Sequence, residues 1–250
     1  MKLDLLNVSY GVVKAEHYDM AILPWGATEP HNYHLPYGTD ALIAHQIALR
    51  ASEKAYALEG VKCMVLPSIP LGQQNKGQHD LPFCLNARSE TQKAILFDIV
   101  ESLECQGFDK LLIINGHGGN SFKSMIRDMA IDFPDFTILL SNWFDVEPQT
   151  GYFENPDNHA GEMETSAMMH YFPDMVDLST AGSGAWKEFA IASLREGVAW
   201  TPRDWSKVSA DTGVGDPSKS TAEKGRLFTS KVEDKIAHLL IDLTKCNIYH

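Results

Sequence analysis

The stretch Leu111-Leu112-Ile113-Ile114, closed by Asn115-Gly116-His117-Gly118-Gly119-Asn120, decides how this chain folds. Four apolar residues in a row, without alternation, suit a strand covered on both faces, as in a parallel sheet. The polar, glycine-rich segment behind them falls where such sheets bind ligands, at the carboxyl ends of the strands. Three more runs, at residues 20–23, 61–66 and 136–140, share that length and continuity. Helical patterns separate them. Residues 39–58 carry Leu42, Ile43, Ile47, Ala48 and Ala51 on one face. Residues 89–106 open with the capping-box pair Ser89 and Gln92 and stop at Gly107. A further helix follows Asn120. This alternation implies an α/β layered fold with a mainly parallel sheet.

Beyond Asn142 the pattern loosens. Residues 147–158 form a loop rich in Pro, Gly and Asn, and a helix spans residues 161–172. Residues 181–216 are loop-rich and carry Trp186, Trp200 and Trp205. A last helix over residues 221–243 has Leu227, Val232, Ile236 and Leu240 on its apolar face. No repeat or linker interrupts the chain, so residues 1–250 are expected to form one domain.

Composition narrows the partners. With 33 acidic against 21 basic residues and a net charge of −12, neither nucleic acid nor an anionic membrane is the expected target. The first twenty residues lack the apolar core of a signal peptide. No run of about eighteen apolar residues occurs, so no membrane span is expected. Cys63, Cys84, Cys105 and Cys246 are scattered without a C-x-x-C pair, which fits thiols in a reducing cytoplasm better than a disulfide framework.

Three polar segments gather the chemistry. The first runs from Gly26 to Asp40 and holds Glu29, His31 and His34; the second holds His117 and Asn120; the third holds His159, Glu162 and Glu164. Glu29 and His31, two apart, point to one side in extended backbone. Imidazole with carboxylate suits zinc, manganese or iron better than calcium or magnesium. The glycines around His117 could instead cradle a phosphate, but they match neither common nucleotide-binding pattern. At 100° per helical residue, His159 and Glu162 differ by about 60° and His159 and Glu164 by about 140°. That phase favours Glu162 as the companion of His159, with Glu164 left to cap the helix or assist catalysis. His34, His79 and Asn120 are candidates for orienting substrate. His17, His45, His170, His238 and His250 read as surface or core residues.

These segments, in this order, resemble the creatininase (creatinine amidohydrolase) family, as does the stretch at residues 213–225. The resemblance implies a three-layer α/β/α fold, a homo-oligomer such as a hexamer, and two divalent ions per chain, with zinc, manganese or iron in the site. It implies that Glu29 and His117 hold one ion, His31 the other, and Asp40 both. It implies a further glutamate, which in creatininase proper sits where this chain has Gly119, and which Glu162 is expected to replace. His159 takes the proton-shuttle position, with Glu164 beside it as a catalytic carboxylate. Trp143 matches an aromatic of the substrate pocket. Residues 155–156 and 78–85 depart from the pattern, which argues against creatinine itself. The expected reaction is hydrolysis of a C–N bond in an amide, formamide or cyclic amide; the alternative is a non-catalytic metal-dependent binding protein on the same fold.

Overall fold

A computed structural model describes residues 2–155 and 158–249, so the expectations for Pro156 and His250 lie outside the described residues. Four strands form one sheet: β1 (Met20–Trp25), β2 (Cys63–Val65), β3 (Lys110–Asn115) and β4 (Thr137–Asn142). Their order is β2-β1-β3-β4, and every pair is parallel. Eight α-helices occur among the described residues. They are α1 (Tyr10–Lys14), α2 (Thr39–Glu59), α3 (Ser89–Cys105), α4 (Lys123–Asp132), α5 (Glu162–Tyr171), α6 (Ala192–Arg195), α7 (Trp205–Val208) and α8 (Ala222–Lys245).

The pleat of the strands divides the core in two. Ala21, Leu23, Trp25, Leu111 and Ile113 pack with Leu96 and Val100 of α3 and Met125 and Met129 of α4. The alternate residues Met20, Ile22, Leu112 and Ile114 pack with Ile43 and Ile47 of α2, Met163 of α5, and Phe228, Val232 and Ile236 of α8. Helices therefore cover both faces, giving the expected three layers and explaining why the central strands β1 and β3 are apolar without alternation. No described helix is long and apolar enough to cross a membrane.

Two local expectations are corrected. Ser89 is not a cap: Arg88 occupies the N-cap of α3, Ser89 Oγ donates to Gln73 Oε1, and Gln92 Nε2 donates to Asn120 Oδ1. Both side chains are drawn away because Ala87 N–H bonds Gly72 C=O, bringing the 72–74 strap against this helix start. Leu227 is 45% exposed, and Phe228 fills the core instead.

Candidate metal centre

The carboxyl ends of β1 and β3 meet the first turn of α2 at unusually close range. A Cβ on Gly26 would lie 2.3 Å from Ala41 N, and one on Gly116 would lie 2.4 Å from Asp40 O. Only glycine permits this approach. It sets Asp40, in the first turn of α2 where a carboxylate is favoured, against the loop residues Glu29, His31 and His117.

All four side chains are buried, and the distances are short. Asp40 Oδ1 lies 2.9 Å from His31 Nε2, and Asp40 Oδ2 lies 3.2 Å from His117 Nδ1. Glu29 Oε1 lies 2.9 Å from His117 Nδ1 and 3.7 Å from His159 Nδ1. Donor atoms within 4.8 Å of one another form three groups: Glu29, Asp40 and His117; His31, Asp40 and Glu164; Glu29, His31 and His159. Asp40 is common to the first two.

Each histidine has its other ring nitrogen fixed on a backbone carbonyl. His31 Nδ1 bonds Glu29 O at 3.0 Å, His117 Nε2 bonds Gln73 O at 2.9 Å, and His159 Nε2 bonds Pro30 O at 2.9 Å. A carbonyl only accepts, so those nitrogens carry the hydrogen and the three inward nitrogens can present lone pairs to a cation. Gln78 Nε2 donates to Glu29 Oε2 at 2.7 Å and orients that carboxylate. The donor set thus fits a divalent transition metal: oxygen and nitrogen atoms, dry surroundings, and supporting hydrogen bonds behind the ligands.

Electrostatics tell the same story. Burial would depress the pKa of His31, yet Asp40, with Glu164 and Glu29 beyond it, raises it to about 10. His117 is likewise raised well above its ordinary value, burial being overcome by Glu29 and Asp40. Burial opposes ionisation of Glu29, but His117 and His159 lower its pKa nonetheless. Three carboxylates in a buried space demand positive charge, and without a cation protonated histidines must provide it. His159 differs: burial and then His31 lower its pKa to about 4, leaving it neutral at pH 7.

These shifts predict proton release on metal binding. His31 and His117 must be neutral to act as ligands, so metal binding to the stripped protein at pH 7 should release about two protons per chain. The sign follows from raised values: the His31 release fades as pH rises through its value of about 10, above which that imidazole is already neutral. Calorimetric titration in buffers of different ionisation enthalpy measures it. A buffer-independent heat at pH 7 would contradict this charge assignment.

The structure sets the two glutamates apart. Glu162 faces away from the cluster: its Oε1 lies 2.5 Å from Lys224 Nζ of α8, and its Oε2 accepts from the N–H groups of Glu154 and Asn155. Glu164 joins His31 and Asp40, while its Oε2 also accepts from Ala160 N–H at 2.6 Å. The phase argument failed because His159 is not on the helix. Ala160 has φ 53° and Gly161 has φ −94° and ψ −149°, so α5 begins at Glu162 and the 100° rule cannot be run back to His159. Gly119 explains why no carboxylate comes from the β3 loop. A Cβ there would lie 2.3 Å from Gln73 O and 2.5 Å from His117 Nε2.

The candidate substrate residues scatter. His79 is exposed, and its neighbour Gln78 is the one that reaches the cluster. Asn120 is committed to the frame: its amide donates to Gly26 O and Asn115 Oδ1 and accepts from Gln73 N and Gln92 Nε2, which exhausts its capacity. Trp143 is fully buried in the core against Phe144 and Phe228 rather than lining an open pocket. His34 is buried, with Nε2 at 2.8 Å from Thr165 Oγ1 of α5, so it braces the helix that carries Glu164.

Besides Ala160, two positions near the site hold backbone in the left-handed region, costly for side chains other than glycine. Asn32 (φ 54°) follows His31, and Thr212 (φ 66°) locks it: Asn32 N–H donates to Thr212 Oγ1 at 2.9 Å. Nearby, His159 pairs with Val214 in a short antiparallel bridge.

Comparison with known proteins finds relatives over most of the chain. Residues 11–240 match the creatininase family, described as creatinine amidohydrolase. A mycofactocin precursor peptide peptidase of Mycobacterium ulcerans (strain Agy99) is 28% identical over 225 residues, covering 87% of this chain and 83% of its own. A crystal structure from Bacteroides fragilis NCTC 9343, named for creatinine amidohydrolase, superposes with TM-score 0.98 at 54% identity over 99% of this chain and 98% of that one. A manganese creatininase structure shares the fold with TM-score 0.80 at 20% identity, covering 97% and 99% of the two chains. The chain belongs to the creatininase family of amidohydrolases.

Proposed function

We propose that this protein hydrolyses the C–N bond of a small amide, formamide or cyclic amide at a two-cation site, residues 1–250 acting as one catalytic unit. The observation that carries the reading is the sharing of Asp40 between two groups of buried donors, Glu29 with His117 and His31 with Glu164. Relatives named for creatinine amidohydrolase and for deformylation of a formylamino-pyrimidine nucleotide both cleave such bonds, and creatininase structures include manganese and zinc forms. Zinc, manganese or iron would be held by Glu29, His31, Asp40, His117 and Glu164, and would supply acidification of water and polarisation of the amide carbonyl.

The chain's own residues do the rest. His159, neutral at rest, takes a proton from the attacking water at Nδ1 and passes it to the departing nitrogen. Its Nε2 bond to Pro30 O holds the ring in the tautomer this transfer requires. Gln78 keeps Glu29 turned inward. We further read the protein as a cytoplasmic homo-oligomer, which its four free cysteines and the exposed Phe83 and Trp200 support. The test is a panel of amides, formamides, cyclic amides and short peptides offered to metal-reconstituted protein. At least one non-peptide amide should turn over, and chelation should abolish the activity. Turnover confined to peptides would overturn the substrate class, and activity that survives chelation would overturn the metal assignment.

A further inference from the structure

A cationic side chain stands beside the cluster without belonging to it. Trp205, buried at the start of α7, meets His159 edge-to-face with ring centroids 5.4 Å apart and an interplanar angle of 86°. The backbone N–H of Trp205 donates to Lys76 O at 2.7 Å, next to the turn that delivers Gln78. Over the same indole lies the Arg203 guanidinium, 4.9 Å from the ring centroid. Arg203 Nη2 donates to Asn158 Oδ1 at 2.6 Å, and Asn158 directly precedes His159. Arg203, Trp205 and His159 thus touch in series, ending at the cluster.

Arg203 is unlike the other cations of this wall. Lys76 and Lys207 are exposed and both pair with Asp204. Arg203 is half-buried, and among the described residues its hydrogen-bond partner is a neutral amide. Burial lowers its pKa, while the Glu29 carboxylate acts on it in the opposite sense from the cluster. A guanidinium has five N–H donors, and the one bond to Asn158 leaves donors over for an oxyanion. Arg203 thus supplies a half-buried positive charge beside His159 in a chain whose net charge is −12.

We propose that Arg203 is a specificity residue that binds an anionic oxygen group, carboxylate or phosphate, carried by the substrate on the side of the leaving nitrogen. The side is set by Asn158 and Trp205, which place Arg203 next to His159, the group that protonates that nitrogen; this rests on the amide-hydrolase reading above. Three probes sharing one benzamide bond test it: hippurate, N-benzoyl-phosphoethanolamine and the neutral hippuramide. Binding to metal-loaded protein is followed by calorimetry, and hydrolysis is followed separately.

One of the two anionic probes should bind wild type at least about tenfold more tightly than hippuramide, a modest gain for a charge-assisted fork. The tighter of the two identifies the source as carboxylate or phosphate. Arg203→Met should bring the three probes within about twofold of each other, and Arg203→Lys, which keeps charge but not the fork, should fall between. A wild type without preference for an anion, or a preference that persists in Arg203→Met, would overturn the proposal. A preference lost in Arg203→Met with no amide hydrolysed anywhere would uphold Arg203 while sinking the amidohydrolase reading, so the two fail separately.

Discussion

Glu164→Gln loses a bound cation and at least about 10²-fold in turnover, whereas Glu162→Gln keeps its metal: that is the contrast expected if α5 contributes Glu164 to the His31 and Asp40 group. A neutral amide is a poor metal ligand but nearly isosteric, so the loss reports charge and coordination rather than packing. Glu162→Gln should instead read out in stability. Lys224 then keeps the Lys219 carbonyl and the exposed Glu154 as partners but loses its buried counterion. A cost of about 1–3 kcal/mol follows, or a fall of roughly 5 °C in Tm for a chain of this size. Elemental analysis of both variants, beside thermal melts, decides the matter. Metal retained in Glu164→Gln and lost in Glu162→Gln would reverse the assignment.

His159→Ala should lower turnover by roughly 10²–10⁴-fold, the range for a positioned proton carrier, with cation content near that of wild type. Its Nδ1 sits 3.7 Å from Glu29 Oε1, at the rim of the cluster rather than at its centre. The loss should shrink for amides whose leaving nitrogen is weakly basic, since such a group departs with less help. Metal lost in parallel with activity would instead put His159 among the ligands, a role its inward lone pair also permits. Equal losses for good and poor leaving groups, with metal intact, would point to substrate positioning.

Much of the frame was legible because its cause is local. The uninterrupted run at residues 111–114 announces burial on both faces, and β3 proves to be a central strand flanked by β1 and β4. Thr221, read as the start of the last helix, is indeed its N-cap, its Oγ1 accepting from Lys224 N–H. The site was legible as residue types in three segments, but not in its details. Glu162 and Glu164 lie about 200° apart on a helix, so one faces the cluster and the other faces α8, and which is which depends on where the helix begins. That start is set by Ala160 and Gly161, whose backbone conformations no periodicity reveals. Gln78 left no signal because its partner, Glu29, is 49 residues away. Asn120 is a candidate for orienting substrate from its polar segment and Trp143 from the family resemblance, but in the structure the first spends its amide on hydrogen bonds and the second packs in the core.

The two halves of the cluster are written far apart in the gene's order. Synthesis delivers Glu29, His31, Asp40 and His117 first, and the sheet that aligns them is complete at Asn142. Up to that point only the group of Glu29, Asp40 and His117 has all its members, because the other two groups draw on residues after Asn142. Closure waits for His159 and Glu164, and then for Thr212 and Val214, which fasten onto Asn32 and His159 from the far end of the chain. The donor set is therefore complete only once segments more than a hundred residues apart in the sequence have met, so shortening the chain before Thr212 should leave Asn32 and His159 without the contacts that fasten them.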